Sequence, residues 1–251
     1  MPRMVVLIVI RSMDAMLSST APRLYNLLPD ALGAIDGWAE QLPSIREMNF
    51  DILSLAPFQE TATPGDTFSV KDHWSLAARH RPVSSNLDDS SLIAHFVAAA
   101  RESGLRVMID CVLTHTARDA DLRASHPEWF VQDGIDFLSI SSGPGESTTA
   151  RIDWGYGSRD AIREYFLGVI RHYATLGIEG FRCPAASMVP SEVWADLIAD
   201  AKAFLPACFF CVEALGRPET ELRRLRGVGF DSVSGSKLTK RYATVSVIMI
   251  K

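Results

Sequence analysis

Cysteine is scarce in this chain, with four residues in 251, too few to supply a disulfide framework at this length. Cys208 and Cys211 have the spacing of a redox or zinc pair, but they sit in the apolar run ACFFCVEAL, which reads as a buried strand. Residues three apart on a strand face opposite sides, so the two thiols should diverge. No second CxxC and no nearby histidine pair completes a metal set, and the expectation is buried, inert cysteine with no metal and no cofactor. Basic blocks are missing as well. The formal charge is −5 and the isoelectric point about 5.7, which argues against nucleic acid or an anionic membrane as partner. Long hydrophobic runs are absent: the stretch from Met4 to Ile10 is far too short to span a bilayer. It matches a signal-peptide core poorly, because Arg11 and Asp14 follow at once, so a cytoplasmic location is expected. There is no short internal repeat and no low-complexity tract.

What is present is a core-forming composition, 47% hydrophobic and 22% charged with mean hydropathy +0.09, enough for one large α/β domain or two small ones. Strand-like and helix-like segments alternate. Six apolar segments read as strands: 23–28, 50–56, 105–113, 178–183, 207–214 and 229–233. Between them lie a helical pattern at Asp36–Met48, a helix capped at Asp88 or Asp89 and ended by Gly104, a helix capped by Ser158 and ended by Gly177, and a helix opened by Ser191. Residues 116–150 show no sustained period and read as a loop excursion. Near-continuous apolar strands in a βα series predict a parallel sheet covered by helices.

Within GFRCPAASMVP (180–190), strand alternation places Arg182 and position 184 on the same side at a strand's carboxyl end. Arg182 suits an anion clamp, and inward-pointing Asp110 on the neighbouring strand is its natural ion-pair partner. Position 184, where a carboxylate would complete the set, is Pro184.

Three strand ends, MIDCVLTH (108–115), GFRCPAA (180–186) and VEALG (212–216), resemble short motifs of the α-amylase superfamily, glycoside hydrolase family 13. The segments RLYNLLP, FSVKDHW, ARIDWGYGSRDAIREYF and GFDSVSGSK look most like its bacterial glucan maltosyltransferase branch. The resemblance covers about residues 23–238. It implies an incomplete (β/α)8 barrel of the TIM type, about six βα units with a small insertion (116–150) after strand three, flanked by an N-terminal extension (1–22) and a C-terminal tail (239–251).

The family's retaining chemistry needs a carboxylate nucleophile and a second, protonated acid. By position, Glu213 matches the acid/base, and Arg182 matches the arginine that holds the nucleophile. His115 matches a histidine that binds a sugar hydroxyl, Phe68 falls where a sugar-stacking tyrosine is expected, and Asp72 keeps its acidic place. Thr114 replaces the asparagine that ligates calcium in many amylases. Pro184 takes the nucleophile's position, and proline has no oxygen with which to form a glycosyl ester. The fourth family motif, a His-Asp pair after the seventh strand, is not found before the last residue. The expectation is therefore a degenerate glucan-related domain that binds α-glucan or maltooligosaccharide weakly. Its rivals are an active maltosyltransferase or α-glucan hydrolase, and an assembly protein that self-associates through open sheet edges. The apolar tail TVSVIMI (244–250) should either fold back antiparallel or pair with a second molecule, since too few residues precede it for a parallel crossover.

Overall fold

The computed structural model describes residues 3–9, 11–12, 22–62, 67–132, 148–155, 157–214, 217–234 and 246–250, with backbone alone for 3–9, 11–12, 234 and 246–250. The Ser/Gly-rich stretch 141–147, Leu215, Gly216 and the start of the tail lie outside the described residues.

In chain order the elements are β1 (Arg3–Val9), β2 (Arg11–Ser12), β3 (Arg23–Leu27), α1 (Leu42–Glu47), β4 (Ile52–Leu55), α2 (Asp89–Glu102) and β5 (Arg106–Asp110). They continue with β6 (His115–Ala117), α3 (Asp121–Ser125), β7 (Thr149–Arg151), α4 (Arg159–Thr175), β8 (Gly180–Cys183), α5 (Ser191–Phe204), β9 (Phe209–Glu213), α6 (Glu219–Leu222), β10 (Ser232–Ser234) and β11 (Ser246–Ile250). The main sheet has the order β11-β1-β3-β4-β5-β8-β9-β10-β2. All six strands expected from the sequence are in it, and every pairing from β3 to β10 is parallel.

The parallel strands are largely apolar because both faces are covered. Leu53, Leu55, Val107, Ile109, Phe181, Phe210 and Val212 pack in one core with Phe96 and Val97 of α2, Phe166 and Ile170 of α4, and Trp194 and Leu197 of α5. On the opposite face Leu24, Ile52, Met108 and Cys211, with Phe209 against them, form a separate inner cluster. The sheet curls around that inner cluster as a partial barrel with helices outside. Gly180 belongs to the inner layer: a Cβ there would meet the Phe209 carbonyl oxygen at 3.0 Å and the Met108 Cβ at 3.1 Å. The cysteine reading is consistent with this layering, since Cys208 packs in the helix-side core and Cys211 in the inner cluster.

Several local expectations change. The pattern at Asp36–Met48 is not one helix but a 3-10 segment, Ile35–Gln41, followed by α1. Pro43, near the start of α1, has no N–H to continue an α ladder from the preceding turn. Asp88 caps α2 as expected, accepting from the Ser91 N–H at 2.7 Å. Ser158 precedes α4 but makes no capping bond; its φ of −120° and ψ of 2° are not the extended values that aim a cap oxygen at the first turn. Ser191 is the first residue of α5 and Pro190 is its cap position. The excursion at 116–150 contains α3 and the β6–β7 antiparallel pair, three residues a strand, too short to show a period in the sequence.

The ends of the parallel series are not left bare. β1 pairs antiparallel with β3, β2 pairs antiparallel with β10, and the tail strand β11 folds back antiparallel on β1. Residues 3–9 and 11–12, within the N-terminal extension, thus pair into the sheet. Among the described residues no helix is long and apolar enough to cross a membrane.

Candidate functional site

The carboxyl ends of β5, β8 and β9 lie side by side. Asp110 is in register with Arg182, and Arg182 with Cys211, so residues of alternate parity on these strands share the inner face. Glu213, two residues past Cys211 on β9, has the same parity and lies one step nearer the rim. Arg182 binds Asp110 with both arms of its guanidinium: Nε donates to Oδ1, and Nη2 donates to Oδ2 at 2.6 Å. Their side chains retain only 6% and 0% exposure, so this is a buried, bidentate pair. Burial works against the charge on Arg182, but Asp110 outweighs it and holds the guanidinium above its ordinary value, with Glu213 pulling the same way. On Asp110, burial pushes the carboxyl upward and Arg182 opposes it. Glu213 itself is half-buried, at the edge between the pair and the rim.

Pro184 is buried in the turn that follows β8. It brings no polar atom to the place beyond Arg182. Ala185 is held at φ 50° and ψ 31°, the left-handed region, which costs a non-glycine residue roughly 1–2 kcal/mol. The turn is fixed from behind: fully buried Trp194 donates its indole N–H to the Ala186 carbonyl at 2.9 Å.

A second group sits on the loops. His115 is buried at the start of β6, with its Nδ1 2.8 Å from the Thr114 hydroxyl. The Ala117 N–H donates to the Val70 carbonyl at 2.7 Å, which ties the loop bearing Phe68 and Asp72 to the same short strand. Phe68 is half-buried in a turn, and half-buried Asp72 accepts from the Trp74 N–H at 2.9 Å. The structure therefore brings Asp110, Arg182, Pro184 and Glu213 to adjacent strand ends, and the Ala117–Val70 bond joins the loop that bears Phe68 and Asp72 to the strand that bears His115.

Four residues escaped the sequence reading. His73 lies beside Asp72, its Nδ1 3.0 Å from the Tyr165 hydroxyl. Burial pushes its imidazole down to about 4, with Asp72 opposing and His115 assisting. Its adjacency to Asp72 in FSVKDHW was the available signal. Asn26, Ser54 and Ser232 lie on the inner-face register of β3, β4 and β10, and their side-chain oxygens are buried without a protein partner. Polar residues at inward positions of otherwise apolar strands were the signal there. Among the described residues no group of three or more His, Cys, Asp or Glu could hold a metal ion.

The curled parallel βα sheet, with its buried Arg–Asp pair and a glutamate at neighbouring strand ends, shares its fold with α-amylases, and the chain is similar in sequence to proteins of the α-amylase superfamily. Residues 16–132 match the family "Glycogen debranching enzyme, glucanotransferase domain". Its curated relatives lie in the maltosyltransferase branch. An α-1,4-glucan:maltose-1-phosphate maltosyltransferase of Mycolicibacterium smegmatis is 29% identical over 82% of this chain and 33% of its own length. The protein of the same name from Burkholderia pseudomallei is 27% identical over 79% of this chain and 19% of its length. The chain thus spans a third or less of these two relatives. Among solved structures, an α-amylase from Lactobacillus plantarum superposes with a TM-score of 0.66 at 22% identity, covering 83% of this chain and 48% of that one. A maltogenic α-amylase from Thermotoga neapolitana superposes with a TM-score of 0.62 at 22% identity, covering 76% and 45%.

Proposed function

We propose that this chain is a glucan-binding domain of amylase type, residues 23–238, that has kept the site's framework and lost its transfer chemistry. One observation carries the reading: Pro184 is buried at the strand end next to an intact Arg182–Asp110 pair. Retaining transfer forms a covalent bond between a carboxylate and the anomeric carbon, and a second carboxylic acid protonates the leaving oxygen. Glu213 occupies the acid's position, but no carboxylate stands at 184 to form the ester. Removal of a covalent nucleophile costs on the order of 10⁴–10⁶ in rate.

The remaining groups suit weak recognition of a sugar. Phe68 offers an apolar ring face to a pyranose, and His115, Asp72 and Glu213 offer polar partners to its hydroxyls. Asp110 and Arg182 spend their charges on one another and hold the two strands in register. An α-glucan or maltooligosaccharide is the ligand this set fits, by analogy with the names of the relatives.

Calorimetric titration with maltooligosaccharides tests the binding half, with millimolar affinity expected and weakened by His115→Ala. A product assay on maltose 1-phosphate and on an activated maltoside tests the catalytic half. Turnover that Glu213→Gln abolishes would overturn it.

A further inference from the structure

A single N-terminal stretch is hydrogen-bonded at both ends of the parallel series. Leu7, Ile8 and Val9 pair antiparallel with Tyr25, Leu24 and Arg23 of β3. Arg11 and Ser12 pair antiparallel with Val233 and Ser232 of β10. β3 and β10 are the first and last of the six parallel strands. One residue separates the two pairings, and two residue steps reach at most about 7 Å. The two outer strands of the series must therefore come within about 18 Å of one another there, two cross-strand spacings and the connection included. A sheet whose two ends are held by one short stretch is closed, and the closing strand runs against the other six. The tail strand lies against the earlier part of the same stretch, residues 3–7, again antiparallel, so it and β10 run in one direction along it.

The outer strands of an open parallel sheet present rows of unpaired N–H and C=O groups, and such rows pair with another chain when nothing covers them. Here the covering segments are RMVVLIV (3–9), rich in β-branched residues of high strand propensity, and RS (11–12). We propose that residues 3–9 and 11–12 act as a closing strand, which holds the barrel shut and covers the two edges through which a second copy of this chain would otherwise associate. This role is independent of whether the strand-end site binds glucan.

Cysteine pairs test the closure in the full-length protein. Cα partners in antiparallel strands lie about 4.5–5.5 Å apart, inside the range a disulfide spans. The Leu7→Cys/Tyr25→Cys and Arg11→Cys/Val233→Cys variants should each form an intramolecular disulfide on mild oxidation, leaving a monomer on a non-reducing gel. A covalent dimer from either pair would overturn the proposal, because the strand would then come from another copy. Failure of the Arg11/Val233 pair to close while Leu7/Tyr25 closes would overturn it too, because β1 would then be an ordinary edge strand. A second arm deletes residues 1–12 and follows mass by light scattering. The expected result is at least a doubling of mass that a synthetic peptide of residues 1–14 reverses; a monomer with an unchanged urea midpoint would refute the role. If the deletion fails to fold, the disulfide pairs still decide.

Discussion

The Arg182–Asp110 pair offers the sharpest test of how this site is held together. Both side chains are out of solvent and joined by two hydrogen bonds, so removing one partner leaves the other charge buried without compensation. Such a loss costs about 3–5 kcal/mol, whereas replacing both partners with apolar groups of similar volume costs far less. A domain's whole stability is about 5–15 kcal/mol, so either single variant should remove a fifth or more of it. With a urea dependence near 2 kcal/mol/M, a loss of about 4 kcal/mol lowers the unfolding midpoint by about 2 M. Arg182→Met and Asp110→Leu should each show that shift, and the double variant should recover at least half of the summed loss. The Arg182→Met deficit should also depend on pH. Burial already pushes Asp110 upward, and without Arg182 nothing opposes that push. A carboxyl whose folded value lies above its unfolded one binds more protons in the folded state, so stability is gained as pH falls. The deficit should therefore be smaller at pH 5 than at pH 7. A single variant that costs under about 1 kcal/mol, or a double variant whose cost equals the sum of the singles, would refute the reasoning.

Three further outcomes follow from other residues. His73 has an ordinary value of 6.5 and a folded value of about 4, so the unfolded chain binds the extra proton between these values. Stability should be complete above pH 6.5 and fall by on the order of 3 kcal/mol towards pH 4, and His73→Gln should flatten that part of the urea-midpoint profile. Gly180→Ala should cost about 1–3 kcal/mol by calorimetric melting, because the new methyl would press on the Phe209 carbonyl and Met108; an unchanged melting temperature would show that the inner layer yields. Pro184→Asp should leave turnover of an activated maltoside at background, because catalytic groups act as a set and one restored carboxylate does not rebuild it. A hundredfold gain over background would show that the rest of the set is present.

The six parallel strands were legible because burial on both faces leaves an apolar run that no exposed helix would carry, as in FDILSL and MIDCVL. At the strand ends, alternation put Arg182 and position 184 on one side and an ion pair with inward-pointing Asp110 was the plain expectation; the structure pairs Asp110 with Arg182. What stayed hidden depends on contacts between distant residues. VVLIVI reads as a strand, but nothing local says that it pairs with residues 23–25 on one side and lies one step from residues that pair with 232–233. The β6–β7 pair joins residues separated by the long excursion, at three residues a strand, below the length at which alternation can be read. His73 and Tyr165 are 92 positions apart, so their hydrogen bond had no signature in either segment.

Cys208, just before β9, and Cys211, within it, lie in the two different layers of the molecule. Cys183 and Cys111 join Cys208 on the helix side, and burial raises all three thiols, Cys208 to about 12. A thiol reagent acts on the thiolate, so labelling in the native state should wait on local opening. Modification of Cys208 would time the lifting of helices from the sheet, while modification of Cys211 would time the breathing of the barrel's interior. With Cys111 and Cys183 changed to alanine, the molecule would carry a built-in pair of clocks, one for each side of the sheet.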